Sequence, residues 1–253
     1  MCRHLAYLGR PTSLADVLLE PVHSLLHQTW APADMRGSGS VNADGFGVGW
    51  YDGQGDLVRY RRGTPMWADE SFPDLARSTR TSALLAAVRN GTVGMPVTEA
   101  ACAPFRQGRW LFSHNGVVDG WPSTVEGLAA ELPTADLMTL ESPTDSALVW
   151  ALVRRRLLDG EGLESTVEAV TAAVAAAAPG SRVNLLATDG GTVVASTWGH
   201  SLSVLERTDH VLVSSEPFGD QADDWRPVPD RHLVVATTAG VKISPLTPEG
   251  PLA

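Results

Sequence analysis

Between Asn42 and Tyr51 the chain reads Asn-Ala-Asp-Gly-Phe-Gly-Val-Gly-Trp-Tyr, so Phe46, Val48 and Trp50 alternate with Gly45, Gly47 and Gly49. A period of two is that of a β-strand, and here one face is bulky while the other is nearly bare. A bare face lets another backbone or a ligand come into close contact, so this stretch restricts the fold more than any other. Asp52-Gly53-Gln54-Gly55 reads as a turn, and Leu57 to Arg61 returns as the partner strand.

The remaining elements follow from periodicity and punctuation. His4 to Leu8 is expected as a strand ended by Gly9-Arg10-Pro11. Ser13 caps a short helix through Leu19, and a second short helix covers Val22 to Gln28. Thr29 to Asn42 is a loop. Ser82 to Arg89 is apolar and fits a strand or a helix equally. Arg109 to His114 is a strand running straight into Asn115-Gly116, and helices are expected at Pro122 to Leu132, Asp145 to Leu158 and Leu163 to Ala178. Six further strands follow between Arg182 and Ser244. Strands, then two long adjacent helices, then strands make an α+β chain, and no βαβ alternation or phosphate-binding glycine loop supports a doubly wound nucleotide fold. Residues 2–245 are read as a single domain and 246–253 as a flexible tail.

Composition removes several classes of function. Across 253 residues, 29 acidic side chains face 19 basic ones, a net charge of -10, and Lys242 is the only lysine. No basic patch for nucleic acid is expected, while the arginines become candidate carboxylate clamps because their donors form a planar fork. No apolar run approaches the roughly 18 residues of a membrane span, and no leader opens the chain. Two cysteines make no disulfide framework, so a cytoplasmic protein with reduced thiols is expected. A homo-oligomer is compatible with the sequence.

Cys2 is the residue on which chemistry centres. Removal of Met1 would leave a thiol and a free α-amine on one residue, with reference pKa values of about 8.5 and 7.7–8.0 that allow easy proton exchange. An N-terminal amine is an established activator of a nucleophile in acyl transfer. Acyl transfer also needs donors aimed at the developing oxyanion, and the Asn115 side-chain amide with the Gly116 backbone N–H would supply them; Asn-Gly otherwise reads as a plain turn. The free end of a γ-glutamyl amide carries a carboxylate and an ammonium, which Arg89 and Asp145 would bind respectively. Asp145 also reads as a helix start that Thr144 or Asp145 itself caps. Asp44 reads as a support of its loop. His114 alternates away from Asn115; we group it with the substrate-binding residues, as a support and not as an attacking group. Cys102 reads as a structural thiol. No spacing suggests a metal site, and no cofactor is expected.

Several motifs occur together and in order: Met1-Cys2-Arg3-His4; Asn42 through Trp50; Arg89 followed by Thr92-Val93-Gly94; Thr98 through Phe105; Ser113-His114-Asn115-Gly116; and Thr144-Asp145-Ser146. In this set the chain resembles the class II glutamine amidotransferases, of the N-terminal nucleophile hydrolase fold. Asn184 through Gly190 and Ser214 through Phe218 resemble the C-terminal part of small stand-alone members. The resemblance implies a four-layer αββα sandwich and a γ-glutamyl thioester on Cys2. It implies Arg89 on the substrate α-carboxylate, Asp145 on its α-amino group, Asn115 and Gly116 as the oxyanion hole, and Arg3 as a support. One departure is Ala103, where the family often has histidine. The short form is most similar to the amidohydrolases of ergothioneine biosynthesis, which release glutamate from γ-glutamyl-hercynylcysteine sulfoxide. A tryptophan face among Trp30, Trp50, Trp67, Trp110 and Trp198 would suit that substrate's quaternary ammonium, with the loop Thr29 to Ser40 as a distal wall. A glutaminase subunit feeding ammonia to a partner synthase and a catalytically silent scaffold are the alternative readings.

Overall fold

The computed structural model describes residues 2–34, 41–220 and 222–246. Met1, the Met35–Ser40 part of the proposed distal loop and residues 247–253 of the proposed tail lie outside the described residues. Two antiparallel sheets carry the strands. The first runs, edge to edge, Arg226–Pro227, Ser203–Glu206, His210–Ser214, Arg3–Ser13, Arg80–Val88, Phe46–Tyr51 and Leu57–Arg62. The second runs Gly240–Pro245, His232–Thr237, Val193–Ser196, Arg182–Thr188, Trp110–Val117 and Phe105–Gln107.

Alternation along these strands generates the layers. In the first sheet Leu5, Tyr7, Leu84, Ala86, Val48 and Trp50 turn outward onto Leu14, Leu18 and Phe72 of the helices Leu14–Leu18 and Phe72–Ser78. Their strand neighbours Ala6, Leu8, Ala83 and Leu85 turn inward and meet Leu111, Leu186, Ala195 and Val234 of the second sheet. The outer face of the second sheet packs Phe112, Leu185, Ala187 and Val194 against the helices Asp145–Leu158 and Leu163–Ala177. Phe112 stacks on Trp150 there, ring centroids 5.3 Å apart. Three apolar seams separate four layers, so the molecule is the αββα sandwich that the resemblance implies.

The glycine strand sits where the bare face is needed. A Cβ at Gly47 would collide with the Ala103 carbonyl, and one at Gly49 would lie 2.6 Å from Leu111 Cδ2. Of the two occupants the bare face allowed, it is protein that fills it at Gly47 and Gly49.

Some local expectations need correction. The first strand does not stop at Gly9-Arg10-Pro11 but continues to Ser13, because its ladder with Arg80–Val88 resumes at Thr12↔Thr81 after an irregularity that absorbs the proline. The helix expected at Val22 to Gln28 reduces to a 3-10 turn, His27–Thr29, since His23 adopts φ +55° and breaks any helical run. Pro122 to Leu132 divides into a 3-10 turn, Ser123–Val125, and a short helix, Glu126–Ala130. The ambiguous stretch is the strand Arg80–Val88. The strand Phe105–Gln107 and the helix Thr134–Met138 carry too few residues for periodicity to reveal them.

Candidate active site

The first strand lies inside its sheet, paired on one side with Arg80–Val88 and on the other with His210–Ser214. Cys2 precedes it by one residue and therefore stands at the mouth of the sandwich. The pairing Arg3↔Val88 places Cys2 beside Arg89, and Cys2 Sγ, partly exposed, lies 3.7 Å from the Asn90 carbonyl. A small cleft opens here, lined by Cys2, Arg89, Ser146, Phe46, Cys102 and Phe105 among others.

Arg89 is 8% exposed, and among the described residues its guanidinium has no carboxylate partner; a 3.5 Å bond from Nη1 to the Asp44 carbonyl is its one side-chain hydrogen bond there. Burying a cation without an anion is costly, so an arginine held in this way has room in its hydrogen-bonding fork for a further acceptor. Asp44 frames it. The Asp44 N–H donates to the Arg89 carbonyl at 2.9 Å, and its Oδ2 accepts from the Gly91 N–H at 2.8 Å.

On the opposite side the helix Asp145–Leu158 delivers Asp145 and Ser146. Thr144 is the residue that caps this helix, accepting from the Ala147 N–H at 3.2 Å. Asp145 is thereby released from capping: Oδ2 accepts from the Val118 N–H at 3.0 Å, and Oδ1 from the Ser146 N–H at 2.7 Å. It is 4% exposed and has no cationic partner among the described residues. His114 faces this helix. Its Nδ1 lies 3.0 Å from Ser146 Oγ and its Nε2 3.2 Å from the Arg182 carbonyl, so both ring nitrogens meet protein and its contacts are those of a support.

Asn115 points between the sheets. Its Nδ2 donates to Ser215 Oγ at 3.3 Å, and Ser215 Oγ also accepts from the His4 N–H at 3.0 Å, which ties the amide to a point two residues from Cys2. Asn115 Oδ1 and His4 Nε2 are both buried without a hydrogen-bond partner among the described residues. Burial, with His114, His200 and Arg3 nearby, pushes the His4 imidazole down to about 3, so it is neutral near pH 7. Gly116 has a packing reason of its own: a Cβ there would collide with the Arg182 carbonyl. Burial raises the Cys102 thiol to about 11, and its sulfur lies 3.3 Å from the carbonyls of Arg62 and Thr98, as suits a structural thiol. Among the described residues no group of three or more His, Cys, Asp and Glu is placed to hold a metal.

Arg3 is 2% exposed. It donates from Nη1 to the Cys2 carbonyl at 2.9 Å and from Nε to Glu216 Oε1 at 2.5 Å. Glu216, Ser215, His4 and Ser146 are thus built into the site although composition and spacing assign them no task; the run Ser214-Ser215-Glu216 was the one signal that could have found two of them. Of the five tryptophans, Trp30 and Trp67 are each 45% exposed and meet edge to face at 6.0 Å, whereas Trp50 is buried in the helix-side seam.

A model of the family described as glutamine amidotransferases class-II matches residues 20–222. The chain is 44% identical over 246 residues to the γ-glutamyl-hercynylcysteine sulfoxide hydrolase of Mycolicibacterium smegmatis, covering 97% of this chain and 100% of that one. It is 42% identical over 246 residues to the protein of the same name from Mycobacterium tuberculosis, with 97% of each covered. A solved structure, a glutamine aminotransferase class-II domain protein from Silicibacter pomeroyi, has the same fold at a TM-score of 0.66 and 22% identity, over 98% of this chain and 100% of that one. No helix among the described residues is long and apolar enough to cross a membrane.

Proposed function

Because the chain belongs to the class II glutamine amidotransferase family, we propose that it hydrolyses the γ-glutamyl amide of γ-glutamyl-hercynylcysteine sulfoxide, releasing glutamate and hercynylcysteine sulfoxide. The observation that carries the reading is the cleft in which Cys2 stands beside Arg89, a buried guanidinium with no carboxylate partner among the described residues. The names of the relatives, at 42–44% identity over nearly their whole length, supply the leaving half of the substrate.

In this reading Met1 is removed and the Cys2 α-amine takes the thiol proton. The sulfur attacks the γ-carbonyl, whose oxygen is met by the Asn115 amide and the Gly116 N–H, donors worth roughly 3–4 kcal/mol each in the transition state. Arg89 holds the α-carboxylate and Asp145 the α-ammonium. The amine passes its proton to the leaving nitrogen, and the C–N bond breaks to leave a thioester. Water, deprotonated by the same amine, then releases glutamate. His114 and Asp44 hold Asp145's helix and Arg89's loop in place, and Arg3 holds Cys2. Trp30 and Trp67 are the exposed indole faces suited to the trimethylammonium of the leaving half. We take residues 2–245 as one catalytic domain, acting in a cytoplasmic setting that suits two free thiols and compatible with a homo-oligomer.

Intact mass and glutamate release test this together, with glutamine and γ-glutamyl-hercynylcysteine sulfoxide supplied in parallel. Loss of the Met1 mass and release from the sulfoxide are expected, and Cys2→Ala should remove turnover while leaving the melting temperature in place. Release from glutamine alone would reassign the protein to ammonia supply. A Cys2→Ala variant with full activity would end the thioester mechanism.

A further inference from the structure

The mechanism uses no part of Glu216, yet few side chains in the molecule are held so completely. It is 2% exposed, and a carboxylate stripped of water needs fixed donors and a cation to offset its lost hydration. Oε1 accepts from Arg3 Nε at 2.5 Å and from the Asp34 N–H at 3.1 Å. Oε2 lies 2.7 Å from His23 Nε2 and accepts from the Ala33 N–H at 2.8 Å. These contacts hold the carboxyl ionised, down to about 2. His23 reaches it from a left-handed backbone, φ +55°, which a non-glycine residue adopts uncommonly and keeps only where its surroundings hold it. From its two terminal nitrogens Arg3 donates to two carbonyls, those of Cys2 and Asp34.

We propose that Glu216 is a positioning residue for the nucleophile. Once Met1 is gone, Cys2 has no preceding peptide, and the plane of the Cys2–Arg3 peptide is what anchors its amine and thiol. Arg3 clamps the carbonyl of that plane, leaving a single torsion between it and the amine, and Glu216 clamps Arg3. The same carboxylate takes the N–H groups of Ala33 and Asp34, so the setting of Cys2 is linked to the segment that follows Trp30. A displacement of 1 Å at a reacting group can cost on the order of 100-fold in rate. The inference rests on Cys2 being the nucleophile, as proposed above.

Two variants separate positioning from mere support of the fold. Glu216→Gln keeps the shape but removes the charge and turns one acceptor oxygen into a donor, which then faces the N–H of Ala33 on one side or those of Arg3 and Asp34 on the other. Arg3→Lys keeps a cation beside Glu216 but lacks the fork that reaches the Cys2 carbonyl at the same time. With γ-glutamyl-p-nitroanilide as the probe, both variants should lose on the order of 10- to 100-fold in kcat while KM changes by less than about threefold. The count of competent sites, from stoichiometric alkylation of Cys2 in folded protein, should stay at that of the wild type. Wild-type kcat per competent site in Arg3→Lys would overturn the inference even if Glu216→Gln fails to fold. A wild-type protein that releases no p-nitroaniline and no glutamate from any γ-glutamyl amide would instead defeat the proposed function, and this inference with it.

Discussion

Arg89 illustrates how a single side chain can be readable before its surroundings are known. In most folds an arginine 8% exposed sits against a carboxylate; here Arg89 has none among the described residues, and in the proposed function the substrate takes that place. Such a residue costs the empty protein stability and returns it on binding. Replacing Arg89 with methionine should therefore leave the melting temperature unchanged or raise it, while kcat/KM for a γ-glutamyl amide falls by about 30-fold or more, the loss of at least about 2 kcal/mol from a buried ion pair. A parallel loss of both, read by calorimetry and initial rates, would mark Arg89 as a structural residue. Cys2, Arg89, Asp145, Asn115 and Gly116 are candidates on sequence because residue type, position and motif each point to them, and the proposed function keeps them in those roles. For Glu216 and Ser215 the motif Ser214 through Phe218 marks the position but assigns no role. Their partners, Arg3 and His4, are 213 and 211 residues away in sequence, and a hydrogen bond over that separation leaves no local pattern.

At the level of elements, the most legible stretch was the one with the least side chain. The period of Phe46–Tyr51 gave both its strand state and its two unequal faces, and the structure places each face in a different seam. The test lies in what each missing Cβ would strike. At Gly49 it would meet the two Cδ atoms of Leu111 at 2.6 and 2.7 Å, a side chain that can change rotamer. At Gly47 it would meet the Ala103 carbonyl and Arg61 Cγ, and the carbonyl belongs to the segment lining the cleft. Gly49→Ala should then cost about 1–3 kcal/mol, as overpacking usually does. Gly47→Ala should cost more and also lower turnover per folded molecule, since backbone must move at the site. Urea midpoints and site-normalised rates check the pair, and equal effects of the two would refute the layer argument. The helix misread at Val22 to Gln28 fails for a reason of the opposite kind: tertiary contacts of His23 with Glu216 override a local pattern that favours helix.

The whole molecule joins its sheets by two unlike seams. Toward the centre the contact is apolar, with Leu85, Leu111, Leu186 and Val234. Toward the site it is polar, made by His4 Nδ1 with Ser113 Oγ at 3.2 Å, Asn115 with Ser215, Asn184 Nδ2 with the His200 carbonyl at 3.1 Å, and Arg182 Nε with His200 Nε2 at 3.2 Å. Burial, with Arg182, Arg3 and His114 around it, holds His200 at about 3, as it holds His4. Both start from an ordinary value of 6.5. Between pH 6.5 and 3 the unfolded chain binds protons at these two sites that the folded chain refuses, so stability falls as the pH falls, by about 1.4 kcal/mol per pH unit for each histidine. Glu216 acts in the same direction but later: its folded value near 2 lies below the ordinary 4.5, so its contribution is whole above pH 4.5 and is lost toward pH 2. Acid should therefore weaken the sandwich from the site end, beginning below neutrality and well before ordinary carboxylates titrate. Urea unfolding should show a slope that grows from well under one proton per molecule at pH 7 to about two near pH 5, and His200→Gln, which cannot titrate, should halve it to about one near pH 5. An unchanged slope in that variant would mean that the polar seam is not what makes the fold sensitive to acid.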